Sequence, residues 1–354
     1  MATRALPEQE NDKQMRHSRR VYLLTSPRTA SNLFVKMLNV EEQPNMATNS
    51  YYAGYFFMPA FCKRNDLDKW DVPYDNMAED HKRIIRDDAQ AAADHFRAFC
   101  ESAKREGRVV FAKEHVNMMM KSTLLDQLIH GTPVESVPPS WVIHMDEATD
   151  RHSIRNPTFL PDDWLETFQP TFLIRHPALQ IPSFYRVHLE GRGPNDTASR
   201  KAYMRATYTL VAFRQMYDFY AKHFRAHAPS SPWPLVIDAA ELTAYPMDVM
   251  RHFCSIAGFD FSKCKFKWEL ASRETVDELP NNVERRAFST LHASTGVLSG
   301  KTSLSVVDVE VEATKWKAEF GEEVAKEIET FVRRSLPDYV YLRRQRWSPS
   351  VRSD

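Results

Sequence analysis

Short apolar runs alternate with longer amphipathic segments along most of the chain. The runs at 21–25, 109–113, 171–175 and 235–238 each hold four or five residues that are mostly apolar. Continuous apolar runs of this length predict strands that are buried on both faces, because a half-exposed strand would alternate with polar residues. We therefore predict four buried strands of one parallel sheet.

The segments between these runs predict helices. Gly107 and Gly258 stand where two of them should stop, and the fixed φ of Pro177 suits the first turn of a third. Alternating strands and helices are typical of an α/β fold, so we predict a doubly wound, mainly parallel sheet flanked by helices. Helices are predicted at 30–38, 77–106, 116–129, from 177, 197–226, 246–258 and 322–335.

The domain organisation follows from the same alternation. A chain of 354 residues fits two average domains or one large α/β domain. The strand and helix pattern runs on without a break or an internal repeat, so we predict a single domain over 21–342. The polar segment 1–20 is expected to be a disordered arm, and 343–354 a basic tail.

Charge and composition exclude several classes of function. Basic and acidic residues both number 47, which argues against bulk electrostatic binding to nucleic acid or to an anionic membrane. No run approaches the roughly 20 apolar residues of a membrane-spanning helix, and the N-terminus lacks the apolar region of a secretory signal. The four cysteines form no CxxC pair and no zinc spacing. We expect a cytoplasmic protein with free thiols and no metal.

Cationic residues follow three of the predicted strands. Arg28 follows the first strand, Lys113 and His115 end or follow the second, and Arg175 ends the third. Ligands of open α/β sheets bind beyond the carboxyl ends of the strands, where such side chains converge. The sequence therefore predicts an anion-binding site at this edge of the sheet.

The loop after the first strand leads directly into a helix. Free backbone N–H groups and the helix dipole favour a phosphate at such a place, and Thr29, Ser31 and Asn32 add side-chain donors. The chain has no GxxxxGK[ST] motif, so this is not a Walker A loop. A Ser/Thr helix cap is the alternative interpretation of the loop alone.

Four segments resemble, in order, motifs of the sulfotransferases that use 3′-phosphoadenosine-5′-phosphosulfate (PAPS). SPRTASN at 26–32 resembles the family's 5′-phosphosulfate loop, commonly PKSGTT. KEH at 113–115 resembles its Lys-x-His. Arg175 and Ser183 are eight residues apart, as are the Arg and Ser that bind the 3′-phosphate in the family. DAAEL at 238–242, followed by a helix that ends with AGF at 257–259, resembles a later structural segment.

The resemblance implies a role for each matching residue. His115 would be the general base, Arg28 would stabilise the leaving 5′-phosphate oxygen, and Lys113 would touch the transferring sulfonate. Together with Arg28, the loop residues would bind the donor's 5′ side, and two further residues its 3′-phosphate. The loop residues are Thr29, Ala30, Ser31 and Asn32, and the 3′-phosphate residues are Arg175 and Ser183.

The chain departs from the family pattern in three places. Ala30 stands where the family usually has glycine, which costs about 1 kcal/mol if the position needs a positive φ and nothing if it is helical. Asn32 replaces a phosphate-binding threonine, and its amide can still donate. The family's C-terminal Arg-Lys-Gly segment has no clear match, and SGK at 299–301 makes Lys301 the candidate for it.

The expected function is sulfuryl transfer from PAPS to a hydroxyl or amine of a small, largely apolar metabolite. The product would be 3′-phosphoadenosine-5′-phosphate (PAP), and no metal would be needed. Aromatic residues at 51–61 and methionines at 118–120 are candidates for the acceptor pocket or for the core beneath a loop. Two alternatives remain: the same fold recruited for a PAPS-independent dehydration or cyclisation, and a non-catalytic nucleotide-binding protein.

Overall fold

The computed structural model of the chain is built on a five-stranded, fully parallel sheet with the order β2-β3-β1-β4-β5. It describes residues 19–132, 142–145, 151–189, 196–279, 282–298 and 307–349. The four predicted strands are confirmed, and the fold is the predicted doubly wound α/β type. A two-residue edge strand was not predicted, because two residues carry no recognisable pattern. The strands are β1 (Arg20–Thr25), β2 (Met46–Ala47), β3 (Val109–His115), β4 (Gln169–Ile174) and β5 (Leu235–Asp238).

Helices cover both faces of the sheet. None of those in the described part of the chain is long and apolar enough to cross a membrane. The first ten are α1 (Ser31–Leu38), α2 (Met58–Asp66), α3 (Glu79–Arg105), α4 (Ser122–His130), α5 (Asp162–Leu165), α6 (Pro177–His188), α7 (Thr197–Thr207), α8 (Val211–His227), α9 (Ala239–Ala244) and α10 (Pro246–Ala257). The rest are α11 (Arg273–Asp277), α12 (Asn282–His292), α13 (Val309–Phe320) and α14 (Glu322–Arg344).

The alternation of side chains along β1 separates two hydrophobic clusters. Val21 and Leu23 face a smaller cluster that contains Phe34 of α1. Tyr22 and Leu24 face a larger cluster on the other side of the sheet. All four side chains are almost fully buried, as expected for a strand with helices on both faces.

Two predicted helices are interrupted in the structure. The segment predicted at 116–129 begins as a short 3₁₀ turn, and α4 starts only after Met120 has bridged to Thr158. The segment predicted at 197–226 is divided into α7 and α8. Thr209 causes this break locally, because its hydroxyl accepts the backbone N–H of Val211 and restarts the helix.

The closing helix is longer than predicted. It continues through Pro337 to Arg344, so the predicted start of the tail at residue 343 falls inside α14. Beyond the helix, the N–H of Trp347 donates to the carbonyl of Val236 at 3.0 Å, and its indole stacks on His252. These contacts place the first residues of the predicted tail on the domain. Residues 1–18 and 350–354 lie outside the described residues.

Gly54 lies directly against the backbone of β3. The N–H of Tyr55 donates to the carbonyl of Lys113 at 2.8 Å, and the N–H of Lys113 donates to the carbonyl of Ala53 at 2.9 Å. A Cβ atom at position 54 would be only 1.9 Å from the oxygen of Lys113. Only glycine permits this approach, which extends the pairing of β2 with β3 toward the carboxyl end of the sheet.

Gly54→Ala should therefore destabilise the protein by roughly 3 kcal/mol, because backbone atoms must separate to admit the methyl group. Gly131→Ala is the matched control. Unlike Gly54, Gly131 has a positive φ of 74°, so alanine there costs only backbone strain, because no atom lies within 4 Å of the position its Cβ would take. It should lose only about 1 kcal/mol. Urea unfolding of both variants measures the difference, and equal losses would contradict the proposed close approach.

Candidate active site

The carboxyl ends of β1, β3 and β4 open into one cavity of about 750 Å³. Thr29 and Lys113 lie outside its wall, and Lys301 lies outside the described residues. Within the described ranges, no group of His, Cys, Asp and Glu residues could hold a metal ion. The predicted site residues on the cavity wall are Arg28, Ala30, Ser31, Asn32, His115, Arg175 and Ser183.

Arg28, Arg175 and Ser183 form one connected group. Arg28 Nε donates to Ser183 Oγ at 3.0 Å, and Arg175 Nη1 donates to the carbonyl of Arg28 at 2.9 Å. The eight-residue spacing produces this meeting because β4 ends beside the loop and α6 then carries Ser183 along the same cavity. The other end of the Arg28 guanidinium donates to the carbonyl of Ala287 on α12, at 2.7 Å.

Positive charge is concentrated on this side of the cavity. Burial, followed by the charges of the nearby guanidiniums of Arg28 and Arg186, lowers the pKa of Arg175 to about 10. Burial, followed by the charge of Arg286, also lowers the pKa of Arg28. These guanidiniums remain charged at neutral pH and repel one another. Arg186 and Arg286 both line the cavity, and Arg186 is paired with Glu319. Neither residue was predicted from the sequence, because neither lies in a recognised motif.

The loop before α1 is strained at two residues that are not glycine. Arg28 and Ala30 both have a φ of 68°, in the left-handed region. Ala30 thus occupies the conformation in which alanine is unfavourable, which was one of the two outcomes expected from the sequence. No side chain caps α1, and the hydroxyl of Thr29 donates to the carbonyl of Ser26 at 2.9 Å. The first N–H groups of α1 therefore remain for a ligand.

Lys113 and His115 lie on the same face of β3, because side chains of a strand alternate and β3 continues through His115. The ammonium of Lys113 donates to Asn32 Oδ1 at 2.7 Å and lies 4.3 Å from the ring centre of Tyr55. Burial lowers the pKa of Lys113 to about 7. Lys113 reaches the loop through Asn32 and is not exposed on the cavity wall.

Glu114 points to the opposite face of β3. Its carboxyl group accepts the backbone N–H groups of Phe57 and His115, each at 3.1 Å. Burial raises the pKa of Glu114 to about 8, although both backbone hydrogen bonds oppose the shift. This residue ties the chain around Phe57 to the strand and does not face the cavity.

His115 is held through both ring nitrogens. Thr25 Oγ1 lies 2.5 Å from Nδ1 and 3.0 Å from the carbonyl oxygen of Glu114. Because that carbonyl can only accept, we assign the hydroxyl proton of Thr25 to it, and Nδ1 then carries a proton and donates to Thr25. Nε2 is then the acceptor nitrogen, and the hydroxyl of Tyr55 donates to it at 3.0 Å. This tautomer leaves a basic nitrogen toward Tyr55. Thr25 is opposite His115 in the sheet register, a relation that the sequence alone does not reveal.

The remaining wall is aromatic and apolar, and it contains part of the predicted acceptor pocket. Four of the predicted pocket residues are buried in the hydrophobic core and do not line the cavity: Phe56, Phe57, Met119 and Met120. Glu284 of α12 accepts hydrogen bonds from the hydroxyls of Tyr51 and Tyr52 at 3.2 and 2.6 Å, so a helix from a region without a sequence-based assignment closes this side. The predicted pocket residues that do line the cavity are Tyr51, Tyr52, Tyr55, Phe61 and Met118.

Comparison with known proteins identifies the class to which this fold and site belong. The chain is 35% identical over 342 residues to sulfotransferase ppzF of Metarhizium majus (strain ARSEF 297), with 92% of this chain and 96% of that protein covered. The protein of the same name from Metarhizium rileyi (strain RCEF 4871) is 34% identical over 340 residues, with the same coverage. The chain belongs to the sulfotransferase family.

Two further comparisons give less information. No family model matches the chain. A solved structure, the sulfotransferase domain from the Synechococcus PCC 7002 olefin synthase, is 14% identical, with a TM-score of 0.36. The match covers 86% of this chain and 94% of that domain.

Ala30→Gly should stabilise the protein slightly. Release of left-handed strain, roughly 1–2 kcal/mol, exceeds the entropic disadvantage of glycine, roughly 0.5–1 kcal/mol. Ala91→Gly, an exposed position inside α3, is the control and should lose about 1 kcal/mol. Chemical denaturation compares the two, and an equal loss in both variants would show that position 30 is unstrained.

Proposed function

We propose that this sulfotransferase transfers a sulfuryl group from PAPS to a hydroxyl or amine of a small, largely apolar acceptor. One observation carries the proposal. A single cavity brings the half-buried Arg28–Arg175–Ser183 group and the open N-terminus of α1 together with an imidazole whose Nε2 is the acceptor nitrogen. Anion binding and proton abstraction are the two capabilities that this reaction needs.

The residues present fit a donor with two separate anionic groups. Arg175 and Ser183 stand at one place on the wall, as expected for residues that would bind the 3′-phosphate. Ser31 and Asn32 open α1, where uncapped N–H groups suit the 5′-phosphosulfate. Volume is also adequate, since about 750 Å³ lies within the roughly 300–1,000 Å³ of small-molecule sites. Bound PAPS supplies the activated sulfuryl group.

Each residue then has a distinct task. His115 Nε2 accepts the proton that the acceptor loses as its oxygen or nitrogen attacks sulfur. Arg28 and the N–H groups of α1 stabilise the negative charge that develops on the leaving phosphate oxygen. Lys113 acts behind the wall, where it orients Asn32. Arg286 supplies positive charge from α12, in addition to any contribution from Lys301.

The acceptor side favours a flat or apolar molecule. Tyr51, Tyr52, Tyr55, Phe61 and Met118 provide apolar surface with a few hydroxyl groups, the composition usual for small-molecule pockets. A PAPS-independent reaction in this cavity and nucleotide binding without catalysis are the two competing functions. Both keep the fold, and the following experiment separates them.

Calorimetric titration with PAP tests the donor site. Wild type should bind with a micromolar Kd, and Arg175→Ala should weaken binding at least about ten-fold, because a charge-assisted contact to phosphate is lost. The matched control is Arg273→Ala on α11, whose side chain is 94% exposed. It should bind PAP like wild type. Absence of wild-type binding at millimolar PAP would contradict the proposed donor.

His115→Ala completes the experiment. It should retain PAP affinity and lose about 10²–10⁴-fold of PAPS-dependent turnover, the usual contribution of a general base. Near-normal turnover would exclude His115 as the base. Turnover without PAPS would favour the recruited fold, and tight PAP binding without turnover on a broad acceptor panel would favour a binding protein.

A further inference from the structure

We propose that Tyr55 is a second catalytic residue, whose hydroxyl relays the acceptor's proton to His115. The inference rests on the proposed function, because it assigns a role within the same transfer. It begins from an obstacle: the basic nitrogen Nε2 of His115 already has a hydrogen-bond partner, the hydroxyl of Tyr55 at 3.0 Å. An acceptor must therefore displace Tyr55 or deliver its proton through Tyr55.

The two side chains are placed for a relay. Both line the cavity, and both are mostly buried, with 7% of Tyr55 and 6% of His115 exposed. The centres of their rings are 4.9 Å apart, and the ring planes meet at an angle of 63°. A phenolic oxygen can accept one proton while it donates another, so it can connect an acceptor to an imidazole that the acceptor does not touch.

The backbone holds Tyr55 in place. Its N–H donates to the carbonyl of Lys113, and Gly54 lies against the same strand. Tyr55 has a φ of 57°, and two of the three residues before it, Tyr52 and Ala53, have values of 53° and 63°. Side chains other than glycine adopt this conformation only where surrounding contacts impose it, and such strain is concentrated at functional sites.

Contacts on the other side restrict the same segment. Glu284 accepts from both Tyr51 and Tyr52, and the ring of Phe288 packs 4.6 Å from that of Tyr52. The segment that carries Tyr55 is thus bound to β3 on one side and to α12 on the other. Displacement of Tyr55 would disturb this arrangement, whereas a proton relay uses it unchanged.

The ammonium of Lys113 supports the charge that passes through Tyr55. In its protonated form, this group lies 4.3 Å from the ring centre and stabilises negative charge on the phenolic group during the transfer. This gives Lys113 a second use besides the orientation of Asn32, although it does not reach the cavity wall.

The acceptor's oxygen or nitrogen forms a bond to sulfur, and its proton passes to Tyr55 Oη. The proton originally on Tyr55 passes to His115 Nε2, which becomes an imidazolium. The bond between sulfur and the 5′-phosphate oxygen breaks, and its electron pair leaves with PAP. Tyr55 is neutral before and after the step.

Tyr55→Phe tests the relay with 1-naphthol as the probe acceptor and, in its absence, with water, measured as PAPS hydrolysis. We expect kcat to fall about 100-fold. KM for the acceptor should change less than about threefold, and the Kd for PAP should not change. Tyr341→Phe removes a hydroxyl that binds Asp218 on the protein surface, and it should behave like wild type.

Several results would overturn the proposal. Unchanged or increased kcat in Tyr55→Phe would mean that Tyr55 only covers the base and is displaced by the acceptor. A fall in kcat accompanied by comparable rises in KM and in the Kd for PAP would indicate a structural role. The ¹⁵N resonance of His115 Nε2 should shift in Tyr55→Phe and stay in place in Tyr341→Phe, and no shift would show that the contact is absent in solution.

These outcomes are distinct from failure of the proposed function. A wild-type protein that neither binds PAP nor consumes PAPS would refute sulfuryl transfer and the relay together. If the wild-type protein transfers the sulfuryl group and Tyr55→Phe is equally active, the relay alone is refuted.

Discussion

The contact between Gly54 and the backbone of Lys113 is the constraint on which the site depends. It binds the segment after β2 to the carboxyl end of β3, where a side chain at position 54 would collide with the strand. Lys113 is buried as a consequence, and Tyr55 is placed beside His115. The same contact also brings Tyr51 and Tyr52 within reach of α12. One close backbone approach thus organises the strand, His115, the tyrosines and the helix that closes the cavity.

A second feature is the concentration of positive charge on one side of the cavity. Arg28 and Arg175 use carbonyl oxygens and the hydroxyl of Ser183 as partners, and burial lowers the pKa of both. Neutral acceptors satisfy the hydrogen bonds of a guanidinium without cancelling its charge. A bound anion would do both in a region with little water, where electrostatic attraction is stronger. The left-handed conformation of Ala30 also serves the anion site, because it turns the loop so that α1 begins at the cavity.

Much of the fold was predictable because it depends on local patterns. Four apolar runs predicted the four longer strands, and the eight-residue spacing of Arg175 and Ser183 predicted residues that share one wall. Other features depend on tertiary contacts. Thr25 orients His115 only through the register of the sheet, and Lys113 is covered by Tyr55, which is distant in sequence. Helix α12 closes the cavity, but no pattern in its sequence predicts this position. The hydroxyl of Thr29 made it a plausible phosphate-binding residue, but this hydroxyl donates to the carbonyl of Ser26 within the loop.

The most direct test of the central claim is a crystal structure of the complex with PAP. Sulfuryl transfer in this cavity predicts the 3′-phosphate against Arg175 and Ser183 and the 5′-phosphate at the N-terminus of α1, with Ser31 and Asn32 in contact. His115 should then face the open side of the 5′-phosphate. PAP bound elsewhere, or bound here with its 5′-phosphate directed away from His115, would contradict the account.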